Sequence, residues 1–260
     1  VYSTVFSGIY AGMFILLFST FLRPPGFDYR GKIDNKLWRS SWDIALFISS
    51  FISTFVFGFI FGNLLMGLPF YFDDVFLRDF YTGNFWDLLN WCGILCGLCS
   101  LSLLAMHGAS YITLRSEGDL KKFFRRLQIS FGVLFFILFT VTGFVVAYHV
   151  KGYILDFSPK DPSLHTLNNK VHMEVGAWLS SYQNYWWKLF GPLIAYIGVI
   201  TSILCAISRF NFLSFCGSVL AVIGTVLTAG FALFPFVVPS SINPNQSLTV
   251  WNATSSYYSL

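Results

Sequence analysis

The stretch WDIALFISSFISTFVFGFIFGNLL, Trp42 to Leu65, carries one charged residue, Asp43, and that residue stands at its start. A hydrocarbon core roughly 30 Å thick is crossed at about 1.5 Å per residue, so about 20 mostly apolar residues span it as a helix. Trp42–Leu65 meets that test, and its neighbours in the chain repeat it. Val5–Leu22 precedes it and stops at Arg23-Pro24-Pro25, where charge and proline are expected to end a helix together. Leu88–Leu114, Leu127–Val150, Trp187–Ser208 and Phe212–Val238 follow it, the last two joined as a tight antiparallel hairpin. The expected fold is therefore an all-α integral membrane protein of about six transmembrane helices, forming a single membrane domain over residues 1–260.

Composition agrees. Charged residues make up 11% of the chain, against roughly 25% in ordinary soluble domains. Aromatic residues reach 20%, which suits a lipid-facing surface with Trp and Tyr near the headgroups. The net charge of +4 is clustered between apolar runs, so it reports membrane orientation and gives no reason to expect a nucleic-acid partner. The loop 23–41 holds Arg23, Arg30, Lys32, Lys36 and Arg39, whereas the loop 66–87 holds only Arg78 among Asp73, Asp74, Asp79 and Asp87. By the positive-inside rule the first loop is cytoplasmic and the second periplasmic. Alternation then places Arg115, Lys121, Lys122, Arg125 and Arg126 inside and residues 151–186 outside. Within that outer segment, His165 to Trp178 is expected to form an amphipathic helix along the interface. The opening Val1-Tyr2-Ser3-Thr4 lacks the features of a signal peptide.

Candidate functional residues are few. Asp28 and Asp43 lie at the ends of the basic loop, where an ionisable group at a membrane mouth marks a proton route. The competing structural readings are a charge in the first turn of the second helix for Asp43, and an ion pair with Arg23 or Arg30 for Asp28. Cys92, Cys96 and Cys99 share one helix face with Gly93 and Gly97 four apart, which points to close helix packing rather than a metal site. Met106 and His107 are adjacent, so they point about 100° apart and cannot be the two axial ligands of one haem. His107 is expected to hydrogen-bond between helices. No catalytic residue and no metal site is assigned within this chain, and Asn245 and Asn252 match a glycosylation pattern too short to carry weight.

A specific pattern lies on top of this topology. Phe6-Ser7-Gly8-x-Tyr10 is followed by Arg23-Pro24-x-Gly26-Phe27-Asp28-Tyr29-Arg30-x-Lys32 and then Trp38-Arg39-x-x-Trp42-Asp43. Phe61-Gly62-Asn63-Leu64-Leu65, Tyr81-Thr82-Gly83-Asn84-Phe85, His107-Gly108-Ala109, Gly176-Ala177-Trp178 and Thr228-Ala229-Gly230 continue it in order. Together these motifs resemble the second subunit of cytochrome bd quinol oxidases. The resemblance implies a subunit made of two four-helix bundles, of which this sequence lacks the first helices and the last. It implies a complex in the bacterial inner membrane that oxidises quinol and reduces dioxygen to water with protons drawn from the cytoplasm.

In that arrangement haem b and haem d reside in the partner, subunit I, and none is bound by this chain alone. A structural quinone and a small accessory subunit are further implied, without assignable residues. Arg23 and Asp28 match the family's loop residues, with the Asp at the cytoplasmic mouth of its proton route. Asn252 stands where the family often has an acidic residue. The alternatives are a secondary transporter without redox role, against which the paucity of polar residues in the spans argues, and a subunit of a cyanide-insensitive bd-like oxidase.

Overall fold

The structure is a computed structural model, and it describes residues 2–73, 78–157 and 169–253. Six of its helices are long and apolar enough to cross a membrane, as expected of an all-α integral membrane protein. Helices α1 (Tyr2–Phe21) and α2 (Arg23–Tyr29) form the first crossing, α3 (Lys36–Met66) the second. Helices α4 (Trp91–Arg115) and α5 (Gly118–Tyr148) follow as a hairpin, and α7 (Phe190–Ile207) and α8 (Asn211–Leu233) as another. Helices α4, α5, α7 and α8 make a four-helix bundle around Cys99, Leu103, Met106, Phe135, Val199 and Ala221. Helix α3 packs on the outside of α4 and carries α1 with it.

The helices extend beyond the apolar runs. Helix α3 starts at Lys36, where the Asn35 side chain accepts from Leu37 N at 2.9 Å and caps it. Helix α5 starts at Gly118, nine residues ahead of Leu127, because its basic first turns still hydrogen-bond as a helix although they are not apolar. Helix α8 stops at Leu233 rather than Val238, since Pro235 cannot continue it, and Phe236–Val238 becomes strand β5 instead. The Arg-Pro-Pro segment does not end the first crossing. Pro24 and Pro25 occupy the first turn of α2, where amide N–H groups have no helical partner to lose, so the helix resumes after a break at Leu22.

The interfacial helix expected over His165–Trp178 is corrected in the same way. Residues 165–168 lie outside the described residues, and Lys170–Val175 is a strand, β4, paired antiparallel with β3 (Lys151–Phe157). Val171, Met173 and Val175 alternate with His172 and Glu174, a period of two that suits a strand. Gly176, at φ 78°, turns the chain into a short helix α6 (Ala177–Asn184).

Three small sheets gather at the end opposite the basic loops. They are β3–β4, β1 (Phe70–Phe72) with β2 (Asp79–Tyr81), and β5 with β6 (Leu248–Thr249). Gln246 ties them by accepting from Phe72 N at 2.8 Å and donating to Phe72 O at 3.1 Å. Asn245 Oδ1 accepts from Val171 N at 2.8 Å, and Asn169 donates to Ser247 O at 3.2 Å. Beneath this cap Trp178 is 2% exposed, packs against Tyr153 and Phe236, and donates to Leu65 O at 3.1 Å.

Candidate functional site

The break at Leu22 redirects α2 across the start of α3. Gly26 allows the approach, because a Cβ there would lie 2.7 Å from Leu46 Cδ2. Tyr29 stacks on Trp42 at 6.1 Å, Trp42 meets Trp38 edge-on at 5.8 Å, and Trp38 Nε1 donates to Tyr29 O at 2.8 Å. This aromatic clasp seats α2 against α3, where two charged residues meet. Arg30 grips Asp43 with a bidentate pair, Nε to Oδ1 at 2.5 Å and Nη2 to Oδ2 at 3.1 Å. The hydrogen bond and charge of Asp43 push the Arg30 guanidinium further above its ordinary range.

Asp43 therefore does not sit in the first turn of its helix, as expected above; α3 begins seven residues earlier, and Asp43 instead anchors α2 to α3. Arg23 is half-buried, and its Nε donates to Ser49 Oγ at 3.2 Å. With Arg30 and Arg23 so engaged, Asp28 lies exposed and makes no salt bridge among the described residues. The structure thus places Arg23 and Asp28 on α2 and Asp43 on α3, each in a different environment.

Inward from Arg23 runs a ladder of buried hydroxyls. Ser49 is fully buried, Ser53 Oγ donates to Ser49 O at 2.8 Å, and Ser53 Oγ lies 3.4 Å from Ser19 Oγ on α1. Sequence reading passed over Ser19, Ser49 and Ser53. The legible signal was Ser49 and Ser53 one turn apart inside an apolar run, since a polar group at such depth needs a partner. On α2 the structure thus places an exposed carboxylate, Asp28, and a half-buried guanidinium, Arg23, that is joined to a buried hydroxyl of α3.

The remaining candidates resolve as packing. A Cβ on Gly62 would lie 2.7 Å from Gly93 Cα, and one on Gly97 2.6 Å from Phe55 Cε2. The Cys92-to-Cys99 face is thus where α3 and α4 cross closely. Among the described residues no group of three or more His, Cys, Asp or Glu converges to hold a metal ion. Met106 is fully buried in the bundle, whereas His107 is half-exposed, stacked on Phe215 at 5.3 Å, with Nδ1 3.0 Å from Ser218 Oγ. Their side chains diverge, so the pair does not fit one haem iron. His107 does bond between helices. On the strand hairpin, His172 Nδ1 meets Asp156 at 2.7 Å, and His149 follows the last turn of α5. His165 lies outside the described residues.

Comparison with known proteins adds the context. The family model for cytochrome bd terminal oxidase subunit II matches residues 1–260. Cytochrome bd-I ubiquinol oxidase subunit 2 of Escherichia coli K12 is 40% identical over 263 residues, covering 100% of this chain and 69% of that protein. A probable cytochrome oxidase subunit 2 of Haemophilus influenzae Rd is 38% identical, covering 100% of this chain and 68% of its own length. Cytochrome bd ubiquinol oxidase subunit 2 of Bacillus subtilis 168 is 30% identical, with 100% of this chain and 67% of the relative covered.

Proposed function

The chain belongs to the cytochrome bd terminal oxidase subunit II family, and from that premise we propose what its mouth does. As a subunit of a bd-type quinol oxidase it is part of an oxidoreductase complex. In our reading it braces subunit I, whose haems b and d supply the site of dioxygen reduction, within the bacterial inner membrane. The basic ends of the helices face the cytoplasm and the sheets face the periplasm. Quinol and quinone are the redox partners of the complex, and a structural quinone and a small accessory subunit extend the same reading.

Within this chain, Asp28 takes up protons at its carboxylate from cytoplasmic water. Arg23 holds the inner edge of the mouth through Ser49, and the Arg30–Asp43 pair keeps α2 seated on α3. The observation that carries this is the exposure of Asp28 on the same short helix, α2, as an arginine that hydrogen-bonds to the buried Ser49.

The test is Asp28→Asn in the complete complex. Quinol-driven oxygen uptake should fall roughly a hundredfold or more, the scale that general acid–base groups contribute, while the haem spectrum stays unchanged. Wild-type turnover in the variant would remove Asp28 from the route. Family membership argues against a transporter without redox role. A pigment spectrum of the purified complex separates an ordinary bd oxidase from a cyanide-insensitive relative.

A further inference from the structure

The bundle of α4, α5, α7 and α8 carries a second buried polar string that the mouth at Asp28 does not use. It begins at the basic end, where Arg125 on α5 donates through Nη2 to Asn211 Oδ1 on α8 at 3.0 Å. The buried Arg125 Nε has no partner among the described residues. One turn further in, Gln128 is 1% exposed, and its Nε2 donates to Ser214 Oγ at 2.6 Å and Ser202 Oγ at 2.9 Å. Ser214 in turn donates to Ser202 O at 2.7 Å. One turn beyond Ser214 on the same face of α8, Ser218 meets Ser110 Oγ at 2.8 Å and the His107 ring.

The string is not closed on itself. Gln128 Oε1 is buried and has no donor among the described residues. Exchanging the two amide atoms does not remedy this. It would set Oε1 toward Ser202 O, already 3.5 Å from Nε2, and orphan the NH2 group instead. A buried acceptor left without a donor is costly, and Gln128 Oε1 is such an acceptor. Packing alone does not supply that missing donor. Beyond the string the bundle turns dry. Met106, Phe135, Val199 and Ala221 fill it, and a Cβ on Gly132 would lie 2.9 Å from Ile203 and 3.2 Å from Met106 Sδ.

We propose that this string is a blind, water-filled inlet, opening beside the Arg125–Asn211 hydrogen bond at the unpartnered Arg125 Nε and ending at Ser218 and His107. Its ligand is water. One molecule donates to Gln128 Oε1, another spans the one-turn gap from Ser214 to Ser218, and the apolar plug stops the column so that the membrane is not breached. The inlet holds His107 in proton exchange with the compartment that bathes Arg125. It is independent of the role given to Asp28.

Substituted cysteines test it in the assembled complex, in a Cys216→Ser background and in vesicles of both orientations. Ser214→Cys and Ser218→Cys are exposed to the impermeant reagent 2-(trimethylammonium)ethyl methanethiosulfonate. Lys122→Cys, on the exposed first turns of α5, reports which face carries the basic loops. Only a hydrated thiol ionises and reacts, so both inlet cysteines should label from the Lys122 face roughly tenfold faster than Val222→Cys in the plug. Adding Gln128→Leu should slow them to the Val222→Cys rate.

In parallel, deuterium exchange at His107 Cε1, read by mass spectrometry, should proceed in the wild type and slow several-fold with Gln128→Leu. The haem spectrum verifies assembly of every variant. Labelling of Ser214→Cys and Ser218→Cys no faster than Val222→Cys, in complexes that retain that spectrum, overturns the inlet. So does His107 exchange indifferent to Gln128→Leu.

Discussion

Tyr153 and Tyr182 lie at the capped end of the molecule, outside the spans. Tyr153 is buried and donates to Met66 O at 3.3 Å, and Tyr182 donates to Thr228 O at 3.4 Å. Burial pushes each phenol from its ordinary 10 up to about 12. Each therefore holds its proton more tightly folded than unfolded. Their contribution to stability is complete below pH 10 and is lost as pH rises toward about 12. Thermal melts of the detergent-solubilised complex should show a loss of up to about 2–3 kcal/mol per phenol across that window, and Tyr153→Phe should make it shallower.

Neighbouring Trp178 gives a larger effect. Trp178→Ala should cost about 3–5 kcal/mol, visible as reduced yield of intact complex. At this scale the sequence indicated Asp28, Arg23 and His107, but not Ser49 and Ser218, the partners of the latter two. Arg30 finds Asp43 only because α3 starts at Lys36 and turns that carboxylate toward α2. That depends on a cap at Asn35 which an apolar-run reading does not weigh.

Among the elements, the crossing of α3 over α4 is the tightest that the motifs foreshadow. Gly58 and Gly62 meet Cys96 and Gly93 backbone, so a side chain at either position has nowhere to go. Gly62→Val should destabilise by about 1–3 kcal/mol or more through overpacking, measured as a lowered melting temperature and less haem-loaded complex at equal expression. Gly108→Ala, where a Cβ meets nothing within 4 Å, should leave both unchanged.

The six crossings were legible because lipid demands long apolar runs, and the glycine spacing announced the crossing. Helix ends were not, since the basic turns of α5 and the prolines of α2 belong to the helix without belonging to the lipid. The strands β3 and β4 were missed for another reason. Their stability comes from pairing with each other and from the tail residues 245–247, contacts between segments far apart in sequence.

For the molecule as a whole, large apolar side chains such as Phe14, Phe18, Phe47 and Phe57 stand exposed on the helices, a surface suited to lipid tails or neighbouring helices and not to water. The charged ends then carry the proposed sidedness. An impermeant amine reagent should modify Lys122 only in inside-out vesicles, and Lys151 and Lys170 only in right-side-out ones. The reverse pattern would invert the orientation proposed above.

The knot of hydrogen bonds around Gln246 has a consequence for how the chain is made. Phe72 and Gln246 are 174 residues apart, and Ser240, which donates to Phe70 O, is 170 away from it. A ribosome delivers the chain from one end, so the segment after Met66 must wait, unpartnered on the far side of the bilayer, until four more crossings have been threaded. Biogenesis of this subunit thus has a late fastening step. Nascent chains halted before residue 240 should be inserted but unlatched, and should be cut by protease at 67–73, where the finished protein resists.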